Sequence, residues 1–169
     1  MRALVCTMLM MMINPAMAAP RAPDGGGGGV QKERMAEQIR SRGPAAFLDK
    51  PCGMLKGSPI WGGLRAVGQD KAAELTGNGM KLNCGPGNRV DVVVLKVGFE
   101  GRMPKGTTWD MKQKTVYKTL KKAGLKDRTT KGVDGKGAFV RLSGNKPVTW
   151  RWEDSKGKGN VAKIVIRKG

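Results

Sequence analysis

Histidine is absent from this 169-residue chain, and that absence alone removes much enzyme chemistry. Ser-His-Asp and Cys-His nucleophiles, imidazole general bases and histidine metal ligands are all excluded. Acidic residues are scarce as well, 13 against 32 Lys and Arg. Aromatic residues make up 5% of the chain, and no apolar run reaches the roughly 20 residues of a membrane-spanning helix. There is no Asn-x-Ser/Thr acceptor for glycosylation and no phosphate-binding loop. Gly157-Lys158-Gly159-Asn160-Val161-Ala162 has the glycine spacing of a dinucleotide fingerprint. It precedes a strand instead of joining a strand to a helix, so the mechanism of that motif is missing. No cofactor and no metal site are expected.

What is present begins with a leader pattern. Met1-Arg2 is followed by the apolar run Ala3–Ile13, then Asn14-Pro15 and the small-x-small triplet Ala16-Met17-Ala18. One positive charge, a short apolar stretch and such a triplet predict a cleavable export signal over residues 1–18. The protein is therefore expected to work in a secreted or periplasmic setting. Arg2 is the only charge in that segment, so its removal lowers the net charge from +19 to +18. Cys6 leaves with it, and the remaining pair, Cys52 and Cys84, reads as one disulfide in an oxidising compartment.

The charge is uneven. Residues 19–89 carry 11 bases against 6 acids, whereas residues 90–169 carry 20 against 7. A one-sided field of this size opposes compaction and concentrates polyanions at the surface. Residues 19–29 form a Gly- and Pro-rich leader, and residues 30–169 are expected to form one α+β domain. Its first part, 30–87, contains a helix at Val30–Arg40 and a loop-rich segment holding both cysteines, with a short helix at Asp70–Leu75. In its second part, 88–169, Val90–Phe99 is apolar on both faces like a central strand. A helix capped by Thr107-Thr108 runs to Ala123, with Trp109, Val116, Leu120 and Ala123 on its apolar face. Three alternating strands follow at Ala138–Leu142, Pro147–Trp152 and Val161–Arg167. This order predicts an antiparallel meander packed by one helix.

A side-chain period of two sorts these strands into two faces. Ala138, Val140, Leu142, Val148, Trp150, Trp152, Ala162, Ile164 and Ile166 share the apolar one. Phe139, Arg141, Thr149, Arg151, Lys163, Val165 and Arg167 share the other. A basic sheet face with an interleaved aromatic can pair charges with phosphates and stack a ring. Lys112, Lys118, Lys121 and Lys122 add a second basic surface on the helix. Trp150 and Trp152 belong either to the core or to an open binding platform, and Trp61 beside Gly62-Gly63 is a further candidate anchor.

These residues support a non-enzymatic binding protein whose partner is an anionic polymer: nucleic acid, an envelope polymer or a charged glycan. A module that binds or blocks an acidic exported protein is the second reading. A metal-dependent nuclease or toxin is the third, resting on Asp91 with Asp134-Gly135-Lys136 or Asp154-Ser155-Lys156. Glu100 and Asp110 offer a further carboxylate pair only if the fold brings them together.

Overall fold

The computed structural model describes residues 27–57, 60, 63–67 and 74–169. The expected export signal, most of the expected leader, Trp61 and residues 70–73 lie outside the described residues. The architecture is α+β, as the strand and helix patterns predict. Helix α1 spans Gly27–Arg42, a 3-10 turn follows at Pro44–Phe47, and a single-turn helix α2 covers Cys52–Leu55. The strands are β1 (Arg65–Ala66), β2 (Glu74–Gly77), β3 (Met80–Gly85), β4 (Arg89–Lys96), β5 (Thr129–Asp134), β6 (Gly137–Leu142), β7 (Val148–Arg151) and β8 (Lys163–Arg167). Helix α3, Gln113–Lys122, lies between β4 and β5 in the chain. All eight strands join one antiparallel sheet in the order β1-β2-β3-β4-β8-β7-β6-β5.

One face of this sheet holds the core. Leu82, Val93, Leu95, Ala138, Val140, Trp150, Ile164 and Ile166 are all fully buried there. Helix α3 covers β5 and β6 through Val116 and Leu120, while the 3-10 turn packs on β4 and carries α1 with it. Met35, Ala36 and Ile39 form the buried stripe of α1. Trp150 and Trp152 are core residues, and each indole N–H has a partner. Trp150 Nε1 donates to Thr107 Oγ1 at 2.9 Å, and Trp152 Nε1 donates to the Met111 carbonyl at 3.0 Å. Ala162 is half-buried and precedes β8, and Val161 is the residue that fills the core at this point.

Several expectations are corrected. Helix α1 begins three residues earlier and ends two later than the pattern suggests. Leu75 lies on β2, not in a helix. The hairpin β2–β3 turns on Asn78 and Gly79, both at positive φ (47° and 70°), as a two-residue turn of this hand requires. Helix α3 starts at Gln113, not at Thr107. Thr107 is buried, its hydroxyl engaged by the Pro104 carbonyl and by Trp150, so it has no oxygen free to cap a helix. The first turn is instead satisfied by the loop before β8, where the Gly157 carbonyl accepts from the Gln113 N–H at 3.0 Å. Trp109 and Ala123 therefore fall outside the helix, and Ala123 is exposed. The strand β5, unmarked by any apolar alternation, completes the meander.

The Cys52–Cys84 disulfide is formed and ties α2 to β3 across a sequence separation of 32. Closing a loop of that length constrains the unfolded chain by roughly 3–4 kcal/mol in the chain-entropy description. Reduction is expected to lower the melting temperature measurably with β-sheet content retained below it. An unchanged thermal transition after full reduction would show that the cross-link is energetically silent.

Candidate polyanion interface

Among the described residues, no helix covers the face opposite the core. Its composition follows from the strand register, because residues paired across neighbouring strands project on the same side about 4.8 Å apart. Lys96 of β4 is paired with Lys163 of β8, Lys163 with Arg151 of β7, and Arg151 with Phe139 of β6. A parallel row, one step along, runs Val94–Val165–Thr149–Arg141. Arg167 lies opposite Val92 in the next row. Four of the residues chosen from the sequence, Arg141, Arg151, Lys163 and Arg167, therefore share one surface with Phe139.

Lys96 belongs to this surface too, and sequence reasoning passed over it. The reason is that Val90–Phe99 is apolar on both faces, so its pattern does not mark which residues point outward. A β-bulge lies upstream: Cys84 pairs with Val90 while the adjacent Asn83 pairs with Val92, which leaves Asp91 as an extra residue and lets Val90 and Val93 both face the core. From Val92 on the strand alternates regularly, with Val93 and Leu95 inward and Lys96 outward.

The cations are not equivalent. Arg151 makes a bidentate pair with Asp134 at 2.8 and 2.9 Å, and this pairing holds the Asp134 carboxyl down to about 2 from its ordinary 3.8. Lys81 on the neighbouring strand is matched by Glu74 at 2.6 Å. Lys96, Lys163, Arg141 and Arg167 have no carboxylate partner among the described residues. Lys96 and Lys163 are placed directly opposite each other, and like charges at such positions oppose sheet formation. An anion laid over this row relieves that repulsion.

Phe139 is less free than an aromatic platform would be. Its ring rests on Gly132 of β5, where an added Cβ would come within 2.9 Å of the ring. The guanidinium carbons of Arg141 and Arg151 stand 5.6 and 5.8 Å from its centroid. These distances fall within cation–π range, so the ring steadies the two arginines.

Of the helix lysines, Lys112, Lys118 and Lys122 are exposed, and Lys121 lies over the Tyr117 ring at 4.5 Å. Because α3 packs on the core face, these lysines lie on the opposite side of the sheet from Arg141 and Lys163. The structure thus separates the expected basic residues into two surfaces that no single flat ligand can span.

Of the carboxylates that suggest a nuclease, Asp134 and Asp154 are engaged locally. Asp134 is held by Arg151, and Asp154 accepts the Lys158 and Gly159 N–H groups in its own loop at 3.0 Å. Those backbone donors keep the Asp154 carboxyl below its usual value. Asp91 sits in the bulge against Gly85, and Asp110 accepts from the Thr108 hydroxyl. Among the described residues no three acids or cysteines stand close enough to hold a metal ion.

Asp134 gives a direct test of the face's electrostatics. Its folded-state carboxyl binds a proton less readily than the unfolded one, so the Arg151 pair contributes fully above about pH 4 and fades as pH falls towards 2. The carboxyl carbon of Asp134 is expected to titrate near pH 2 by NMR, and to move upward in Arg151→Gln, where the Lys136 N–H still holds it below the ordinary value. A wild-type midpoint near 3.8 would mean that the pair does not form in solution.

No protein family, curated protein or solved structure matches this chain.

Proposed function

We propose that this is an exported binding protein that engages an anionic polymer across its helix-free sheet face. One observation carries the reading: Lys96, Lys163, Arg141 and Arg167 share a β-surface that, among the described residues, no helix covers and no carboxylate pairs with. Arg151, neutralised by Asp134, acts within this surface as a fixed support. Export is supported by the leader pattern of residues 1–18 and by the disulfide. No helix of the described residues is long and apolar enough to cross a membrane.

Binding to a short DNA duplex, titrated by fluorescence anisotropy at several salt concentrations, tests this. Each cation that neutralises a phosphate contributes about 0.9 to the log–log salt slope, so four give a slope of roughly −3 to −4. A slope shallower than about −1, or equal affinity for a neutral dextran, would contradict it.

A second reading, recognition of an acidic protein, draws on Val92, Val94 and Val165. These half-buried valines run between the cations on the same face. An apolar centre with a charged rim is the usual anatomy of a protein–protein contact. An affinity that stays nearly constant with salt would favour it.

A further inference from the structure

A second site lies on the other side of the sheet, at the end where β6 turns into β7. The helical layer is incomplete there. Helix α3 covers β5 and β6 and the 3-10 turn covers β4, which leaves the ends of β7 and β8 beneath the Arg102–Gly106 loop. The result is a cavity of about 690 Å³, within the range of small-molecule sites. Its floor is apolar: Leu142, Val148 and Ile166 from the sheet, with Met103 and Leu125 beside them. Arg42, Arg102, Lys105, Arg128 and Lys146 are its cationic lining, and among the described residues no carboxylate joins them.

Two of these cations are held in place. Arg128 donates from Nε to the Ser143 carbonyl at 2.9 Å and lies across Gly144, where an added Cβ would meet its guanidinium at 1.6 Å. Lys146 Nζ reaches the Ala45 carbonyl at 3.3 Å. Gly144 has φ 143°, a backbone conformation that other residues rarely take, so both its geometry and its missing side chain serve Arg128. Guanidinium groups match the paired oxygens of phosphate, sulfate and carboxylate.

We propose that this cavity binds a single anionic amphiphile, with a phosphate- or carboxylate-type head among Arg42, Arg102 and Arg128 and an alkyl body over Met103, Leu125 and Val148. An apolar floor under an all-cationic rim fits neither a neutral lipid nor a hydrophilic anion. The occupant is a single monomeric molecule, a size that suits the roughly 690 Å³ of the cavity.

Calorimetry on the mature protein with monomeric dodecyl phosphate is the test, with inorganic phosphate and dodecyltrimethylammonium as comparisons. Dodecyl phosphate is expected to bind at least tenfold more tightly than either. Arg102→Gln with Arg128→Gln should weaken it by tenfold or more, and so should Met103→Gln, which leaves every charge in place. Methyl NMR shifts of Leu142, Val148 and Ile166 on titration confirm the location and do not depend on a variant folding. Replacing Lys96, Arg141, Lys163 and Arg167 together should leave this binding intact, which separates it from the sheet-face function. Binding no tighter than inorganic phosphate, equal binding of the cationic amphiphile, methyl shifts elsewhere, or attachment only to anionic phospholipid vesicles would each overturn the proposal.

Discussion

Replacing Lys96, Arg141, Lys163 and Arg167 by glutamine together is expected to lower affinity for heparin and for duplex DNA by roughly 10²- to 10³-fold at moderate salt. The magnitude follows from about 1 kcal/mol per cation close to an anionic surface, with about 1.4 kcal/mol per tenfold. None of the four has a carboxylate partner among the described residues, so removing them breaks no ion pair of the fold. The variant should also be slightly more stable at low salt, because Lys96 and Lys163 no longer oppose each other. The matched control replaces Lys112, Lys118, Lys121 and Lys122. It removes the same charge from the other side of the sheet and should weaken binding only about threefold, through loss of long-range attraction. Equal losses from both variants would show that net charge, and not the sheet face, determines binding.

Trp150→Ala is expected to lower unfolding free energy by about 4 kcal/mol, as measured by urea denaturation. Trp150 is fully buried on the interior strand β7, paired with Val140 on one side and Ile164 on the other. Its loss empties the largest volume in the core. It also strands the Thr107 hydroxyl, which anchors the Pro104 turn beneath it. Trp150→Phe keeps most of the packing and removes the hydrogen bond, so about 1–2 kcal/mol is expected there. Since Thr107 follows directly on the loop that roofs the cavity, Trp150→Ala should also loosen that loop and raise its amide exchange. A destabilisation below about 1 kcal/mol would mean that the indole is not the structural centre of the sheet.

How much of this was legible in the sequence differs sharply along the chain. The meander β6–β7–β8 is plain because each strand alternates cleanly, and both tryptophans fall on the apolar phase. Its neighbour β5 is an edge strand, paired on one side only, with Lys131 and Gly132 where an internal strand would carry large apolar residues. An edge strand buries too little to leave a periodic trace. The hairpin β2–β3 did leave one in Asn78-Gly79, a dipeptide whose positive-φ tolerance suits a two-residue turn. Short flanking runs of mixed polarity hid it.

The sheet-face residues were within reach because they come from adjacent strands of one meander, where period two is sufficient. Lys96 was not, because β4 is apolar on both faces and only its pairing with β8 shows that Lys96 points outward. The start of α3 was misplaced for a related reason. Thr107 is an acceptable cap locally, but it is taken by Trp150, 43 residues away in sequence. The cavity was invisible altogether. Its walls come from five separate segments of the chain, and only the strand order brings Arg42, Arg102 and Arg128 to one opening.

The most direct measurement is a backbone NMR titration of the protein with a heparin-derived oligosaccharide, read residue by residue. The expected result is perturbation of the amides at Lys96, Arg141, Lys163, Val165 and Arg167, with α3 unmoved. Shifts concentrated on Lys112–Lys122, or spread evenly over every basic residue, would contradict the assignment of the helix-free sheet face as the polyanion interface.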